Sequence, residues 1–172
     1  MYRPPHFDVP DLGELQDVVD ARAAAHVVSL TTSGLVGSMV PLLLDRDRGP
    51  YGTLVGHLAR ANRQHWRELV PGVESLAIFA GPDAYVSQSW YATKRETGTV
   101  VPTWNYEVVH AAGELVVHDD PAWVEALVRR LTDRHESTRA EPWSVDDAPA
   151  DFIAAKLKAI VGIELTITRL QG

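Results

Sequence analysis

The chain contains no cysteine among its 172 residues, which removes disulfide scaffolds, thiolate zinc sites, iron–sulfur clusters and thiolate-ligated haem together. A transition metal would have to rely on imidazole, carboxylate, tyrosine or methionine. Basic residues are outnumbered: 16 Lys and Arg face 23 Asp and Glu, for a net charge of −7. Such a field repels phosphate backbones, and neither a basic stripe nor a basic recognition helix is present, so no nucleic-acid partner is expected. No window reaches the roughly 18–20 apolar residues of a membrane span, and the opening MYRPPHFDVPD lacks a signal-type apolar run. A cytoplasmic protein with no membrane contact is the expectation. The GxGxxG and GxxxxGK[ST] patterns are missing too, so any nucleotide-like ligand is held without a standard glycine-rich phosphate loop.

What remains is an ordinary globular composition, 45% hydrophobic and 23% charged, and one domain spanning 1–172 is expected. Leu12, Leu15, Val18 and Val19 form one stripe of a helix over 11–24. HVVSLTT and LVGSMVPLLL are two strand-like runs, near 25–32 and 35–44, split by Ser33-Gly34 as a hairpin would be. YGTLVGHL reads as a third strand and ARANRQHWREL as a short helix stopped at Val70-Pro71-Gly72. ESLAIFAG, YVSQSW and the two halves of TVVPTWNYEVVHAAGELVVH supply further strands, with a break at Ala112-Gly113. Asp120-Pro121 opens a helix whose buried stripe is Trp123, Val124, Leu127, Val128 and Leu131. DAPADFIAAKLKAIVG reads as a last helix ended by Gly162, and IELTITRL as a closing strand. The pattern predicts a mainly β fold, a closed or partly closed barrel with peripheral helices.

Three segments could carry chemistry. In GHLARANRQHW, at a strand-to-helix junction, Arg60, Asn62 and Arg63 could meet a phosphate or propionate, or the arginines could be solvated surface charges. His57 and His65 are separated by seven residues, which is not the spacing that puts two imidazoles on one zinc. One imidazole suffices as an axial ligand to haem iron. In GPDAYVSQSWY, Ser87, Ser89 and Tyr91 alternate with Val86, Gln88 and Trp90, so hydroxyls on one strand face could bond a cofactor edge; aromatic barrel packing explains the same pattern. In VPTWNY, Trp104 and Tyr106 flank Asn105 as a flat wall with one amide. Ser29 and Ser33 lack a nucleophile-elbow context, His135-Glu136 reads as solvent-exposed, and Asp119-Asp120 is explained by helix capping.

Taken in order, MYRPPHF, GHLARAN, GPDAYVSQSWY, VVPTWNY and AIVGIEL resemble the PaiB-like family, the FMN-binding negative transcriptional regulators. The resemblance implies an FMN-binding-type split β-barrel, a homodimer, and a flat cofactor at the seam between subunits. There are departures. Gly37-Ser38-Met39-Val40-Pro41 stands where the family has His before Leu-Pro, Asp83 where it has Gly-Pro-His-Ala-Tyr, and Asn62-Arg63 where it has Asn-Pro. The usual Lys-Leu-Ser-Gln-Asn tail is replaced by an end at Leu170-Gln171-Gly172.

A branch of the family, the piperazate synthases, resembles this chain in having His65 on the helix after Arg-Ala-Asn together with a weakened flavin signature. That resemblance implies haem b in place of FMN, and cyclisation of an amino-acid substrate, N5-hydroxy-L-ornithine, to piperazic acid by N–N bond formation. Under it His65 binds the iron with His57 in reserve, Arg60 and Asn62 hold a propionate, and Trp90, Tyr91 and Trp104 wall the macrocycle; Ser87, from the alternation above, remains the candidate for the cofactor edge. The base that takes the amine proton is left among Asp83, Tyr91 and His110. The alternative is an FMN-binding PaiB-like protein, either a flavin oxidoreductase or a regulator acting through another protein.

Overall fold

The computed structural model describes all residues, 1–172. Eight antiparallel strands form one curled sheet: β1 (Ala24–Thr31), β2 (Gly34–Asp45), β3 (Thr53–Ala59), β4 (Ser75–Val86), β5 (Thr103–Gly113), β6 (Leu115–His118), β7 (Ile160–Thr166) and β8 (Arg169–Gln171). Their spatial order is β6-β7-β3-β2-β1-β4-β5-β8. Curling follows from β2, whose first part pairs with β1 (Gly34–Pro41) while Leu42–Asp45 pairs with β3. After β7 the chain crosses to the opposite edge of the sheet, where Thr168 N–H donates to the Ala112 carbonyl at 2.9 Å beside the β5–β8 pairing. Gly113 permits that approach, since a Cβ there would lie 2.1 Å from the Thr166 carbonyl oxygen.

Strand alternation fills the barrel. Ala25, Val27, Val40, Leu42, Leu54, Leu58, Phe79, Val109, Ala111, Ile163 and Leu165 point inward and are buried. Helix α1 (Leu12–Arg22) closes one end. Asp11 caps it, its carboxylate accepting the Glu14 N–H at 2.9 Å, and Leu15 and Val19 enter the core. Leu12 and Val18 do not share that burial; Gln16 is buried instead, its amide donating to the Tyr51 carbonyl at 3.2 Å. Helix α4 (Pro121–Glu136) starts at the Asp120 cap and lays Leu127 and Leu131 over Val55 on the outside of the barrel.

The expected third strand, first helix, opening hairpin, Gly113 break and Asp120 helix start are all present, and the split-barrel fold stands. Three local expectations differ. The segment after Val86 is not strand: Ser87 caps a short 3-10 helix over Gln88–Trp90, taking the Ser89 N–H at 3.3 Å, and helix α3 (Thr93–Glu96) follows. Helix α5 (Ala150–Leu157) stops before Gly162, which lies in β7. Trp123 packs on Gly162 there: its ring fills the space a Gly162 Cβ would need, 2.1 Å away, and stacks on His118 at 4.1 Å between centroids. The closing strand is split into β7 and β8 by Ile167 and Thr168.

Candidate functional site

The free edge of β2, where it has left β3, is filled by helix α2 (Arg63–Arg67). Asn62 precedes it without capping it, because its amide donates to the Ser38 hydroxyl at 3.0 Å instead. His65 turns inward and is 0% exposed. Its Nδ1 shares a hydrogen bond with Ser38 at 2.7 Å and its Nε2 one with Ser29 at 3.0 Å; Ser29 in turn meets the Ser75 hydroxyl at 2.8 Å. Burial pushes the imidazole below its ordinary pKa, so the ring is held neutral. A neutral ring suits a metal, but both ring nitrogens are already engaged. As the iron ligand, His65 would have to exchange its Ser38 hydrogen bond for the metal at Nδ1.

Arg60 does not face a ligand. It places its guanidinium on both oxygens of Asp119 and donates to the Lys158 carbonyl at 2.8 Å and the Ile160 carbonyl at 3.1 Å. It clasps the end of β3 to the turns before α4 and β7, with four of its five N–H groups engaged. His57 is likewise displaced: it sits opposite Gly162 on the barrel face covered by α4, its Nδ1 without a partner and its pKa lowered by burial. As a reserve ligand it lies on the wrong side of the sheet from His65. No three His, Asp or Glu side chains converge as a metal cage.

The remaining aromatic residues gather elsewhere. On the outward side of the sheet Leu30, Leu35 and Met39 are exposed, and Leu76, Ile78, Val108 and His110 are half-buried beside them. One extra residue between Ala80 and Asp83 makes a β-bulge and reverses the parity of β4. Asp83 and Tyr85 thereby join Trp104 and Tyr106 on this outward face, paired as Asp83 with Tyr106 and Tyr85 with Trp104. The rings stay open to solvent, Tyr85 51%, Trp104 57% and Tyr106 64% exposed, and Trp90 in the next turn is 71% exposed. Tyr91 follows it, and Lys94 and Arg95 are exposed on α3. Ser87 spends its hydroxyl on Gln88 and Ser89 within the turn.

Of the three residues considered as bases, Asp83 accepts the Trp104 indole N–H at 2.9 Å. His110 pairs with Ile78 four residues along β5, its pKa lowered by burial and then by the N-terminal ammonium. Tyr91 lies in the turn. Ser38 and Ser75, to which the sequence assigned no role, are partners in the His65 network. The one sign was an alternation that placed Ser29 among inward apolar positions of β1. The barrel interior between Val27, Leu42, Leu54 and Ile163 has no room for even a water molecule.

A family model described as "Putative FMN-binding domain" matches residues 1–169. The chain belongs to this FMN-binding, PaiB-like family. Within it, the chain is 30% identical over 172 residues to "Protease synthase and sporulation protein PAI 2" of Bacillus subtilis, covering 100% of this chain and 79% of that protein. It is 35% identical over 178 residues to an uncharacterized protein of Aspergillus fumigatus, covering 80% of this chain and 68% of that one. Among solved structures it superimposes on the flavocytochrome Anf3 from Azotobacter vinelandii with a TM-score of 0.67 at 14% identity, covering 99% and 70% of the two chains. A second likeness is the FAD and heme binding protein from Mycobacterium smegmatis, TM-score 0.62 at 18% identity, covering 95% and 71%. At these identities the structures establish the split-barrel fold, and no helix of the chain is long and apolar enough to cross a membrane.

Proposed function

We propose that two copies of this chain enclose a flat redox cofactor, flavin or haem, between their outward faces, and that the protein acts as an enzyme through it. The observation that carries this reading is the exposed surface running from Leu35 and Met39 along the Tyr85–Trp104–Tyr106 ribbon to Trp90 and Tyr91. A monomer does not keep so many large rings in water without a use for them. FMN fits this surface best. Trp90 and Tyr91, continued by Trp104, offer a wall for a planar ring, while Lys94 and Arg95, which enter no ion pair, stand next to it for a phosphate. Bound there, a flavin would supply one- or two-electron transfer; the chain's share is to stack the ring, neutralise the phosphate and exclude water when the two faces close. Adding FMN to the purified protein should quench flavin fluorescence in proportion to protein, and Lys94→Ala with Arg95→Ala should weaken that binding at least tenfold. Full affinity in the double variant counts against this site.

A second reading is favoured by His65: it is neutral and lies beside the open edge of β2, with half-buried Ser38 between its Nδ1 and that edge. Under it the chain is a haem-dependent piperazate synthase-like cyclase acting on N5-hydroxy-L-ornithine, with Ser38 giving up its hydrogen bond when iron binds. A Soret band that disappears in His65→Ala, with piperazic acid formed from the hydroxylated ornithine, supports this reading; a flavin envelope in the purified protein rejects it. Direct DNA recognition has no support in a chain of charge −7, and an absence of sequence-dependent gel shift at physiological salt is the expected result.

A further inference from the structure

The bulge in β4 brings together four side chains, of which Asp83 has no part in the cofactor reading. Asp83, Tyr85, Trp104 and Tyr106 occupy one face of a two-stranded ribbon, as two adjacent cross-strand pairs. Tyr85 and Trp104 are tilted 55° with centroids 6.2 Å apart, and both rings are open to solvent. Asp83 stands beside them, and its carboxylate takes the Trp104 indole N–H at 2.9 Å. That bond leaves the second carboxylate oxygen free, and Asp83 enters none of the ion pairs along the chain. It also places negative charge at the indole edge, which makes the ring face more attractive to a cation.

Three π faces and one unneutralised carboxylate on a single surface are the complement of an organic ammonium ion. An alkylated cation gains from the ring quadrupoles and from Coulomb attraction to Asp83, and loses less hydration than a bare metal ion does. A phosphate or carboxylate would be repelled at the same place. The arrangement depends on this chain's own residues: Asp83 reaches the face only because the bulge shifts it there.

We propose that the Asp83–Tyr85–Trp104–Tyr106 face is a binding site for organic ammonium groups, and that a substrate of this protein presents an amine there. The site shares Tyr85, Trp104 and Tyr106 with the surface on which the cofactor reading rests; its dependence on the Asp83 charge, measured without cofactor, separates its failure from the failure of that reading.

The test uses the full chain labelled with nitrogen-15, following the Trp104 indole N–H resonance, assigned by its loss in Trp104→Phe. Tetramethylammonium chloride is titrated against sodium chloride at constant ionic strength, with neopentyl alcohol as the uncharged probe of similar shape. A saturable shift of the Trp104 signal with tetramethylammonium, and none with the alcohol, is expected. Asp83→Asn keeps an acceptor for the indole while removing the charge, and should weaken binding at least tenfold; Tyr85→Leu should weaken it severalfold. No saturable shift, equal response to the alcohol, or undiminished binding in Asp83→Asn would each overturn the proposal.

Discussion

The Ser38 hydroxyl lies 2.7 Å from Nδ1 of a His65 ring that has no exposed surface, and the same ring meets Ser29 at 3.0 Å through Nε2. A side chain from a five-residue helix is thereby tied to two adjacent strands, and the tie continues through Ser29 to Ser75 on β4. Buried polar groups in such a chain are costly to orphan, because each lost partner leaves a desolvated donor or acceptor.

His65→Ala removes the hub and leaves Ser29 and Ser75 without it in an apolar interior. We expect a loss of about 2–4 kcal/mol in urea unfolding. Ser29→Ala should cost about 1–3 kcal/mol, since it strands both Nε2 and Ser75. Ser38→Ala, at a half-buried position, should cost less than either. If all three variants unfold with the wild-type midpoint, the network contributes nothing to stability.

Protonation offers a test of the same burial. His57, His65 and His110 all have pKa values pushed below the ordinary 6.5, with burial the leading cause. The unfolded chain therefore takes up protons below about pH 6.5 that the folded chain refuses, and stability must fall as pH drops from there toward the lowered folded values. Asp119, held below its ordinary range by Arg60, acts in the same direction at lower pH. Thermal melting at pH 7.5, 6.5 and 5.5 should show Tm declining mainly over the last interval, and His65→Ala should flatten part of that slope. A Tm that rises on acidification contradicts the assignment.

Arg60 is assigned to the fold and not to a ligand. Arg60→Ala should lower Tm and speed amide exchange at Arg60 itself and through Ile160–Gly162, where the clasp ends, while leaving the affinity for FMN unchanged. A variant with normal Tm and tenfold weaker cofactor binding would reverse that assignment.

Gly162→Ala sets a methyl group into the Trp123 ring. Because that ring is also stacked on His118, it has little freedom to retreat, and a loss of about 1–3 kcal/mol is expected by denaturant unfolding. A neutral result means α4 shifts outward.

The strands and helices were legible because they rest on local signals: the apolar runs of β1 and β2, the stripe of α1, the Asp120 cap, and the small residues at Ser33-Gly34. The resemblance carried the split barrel. What stayed hidden was set by contacts distant in sequence. Nothing near Arg60 announces Asp119, which lies 59 residues away, and nothing near His65 announces that Ser29 and Ser38 engage both its nitrogens. Residues 85–90 alternate like a strand, yet Ser87 competes for its own backbone and turns the chain into a 3-10 helix. The bulge that moves Asp83 to the aromatic face was equally invisible, because a single extra residue shows only against the partner strand.

Native mass spectrometry of the purified protein, before and after incubation with FMN and with haem, tests the central claim most directly. The account predicts a dimer that carries bound flavin or haem, in a fixed ratio to protein. A monomer that takes up neither would contradict it.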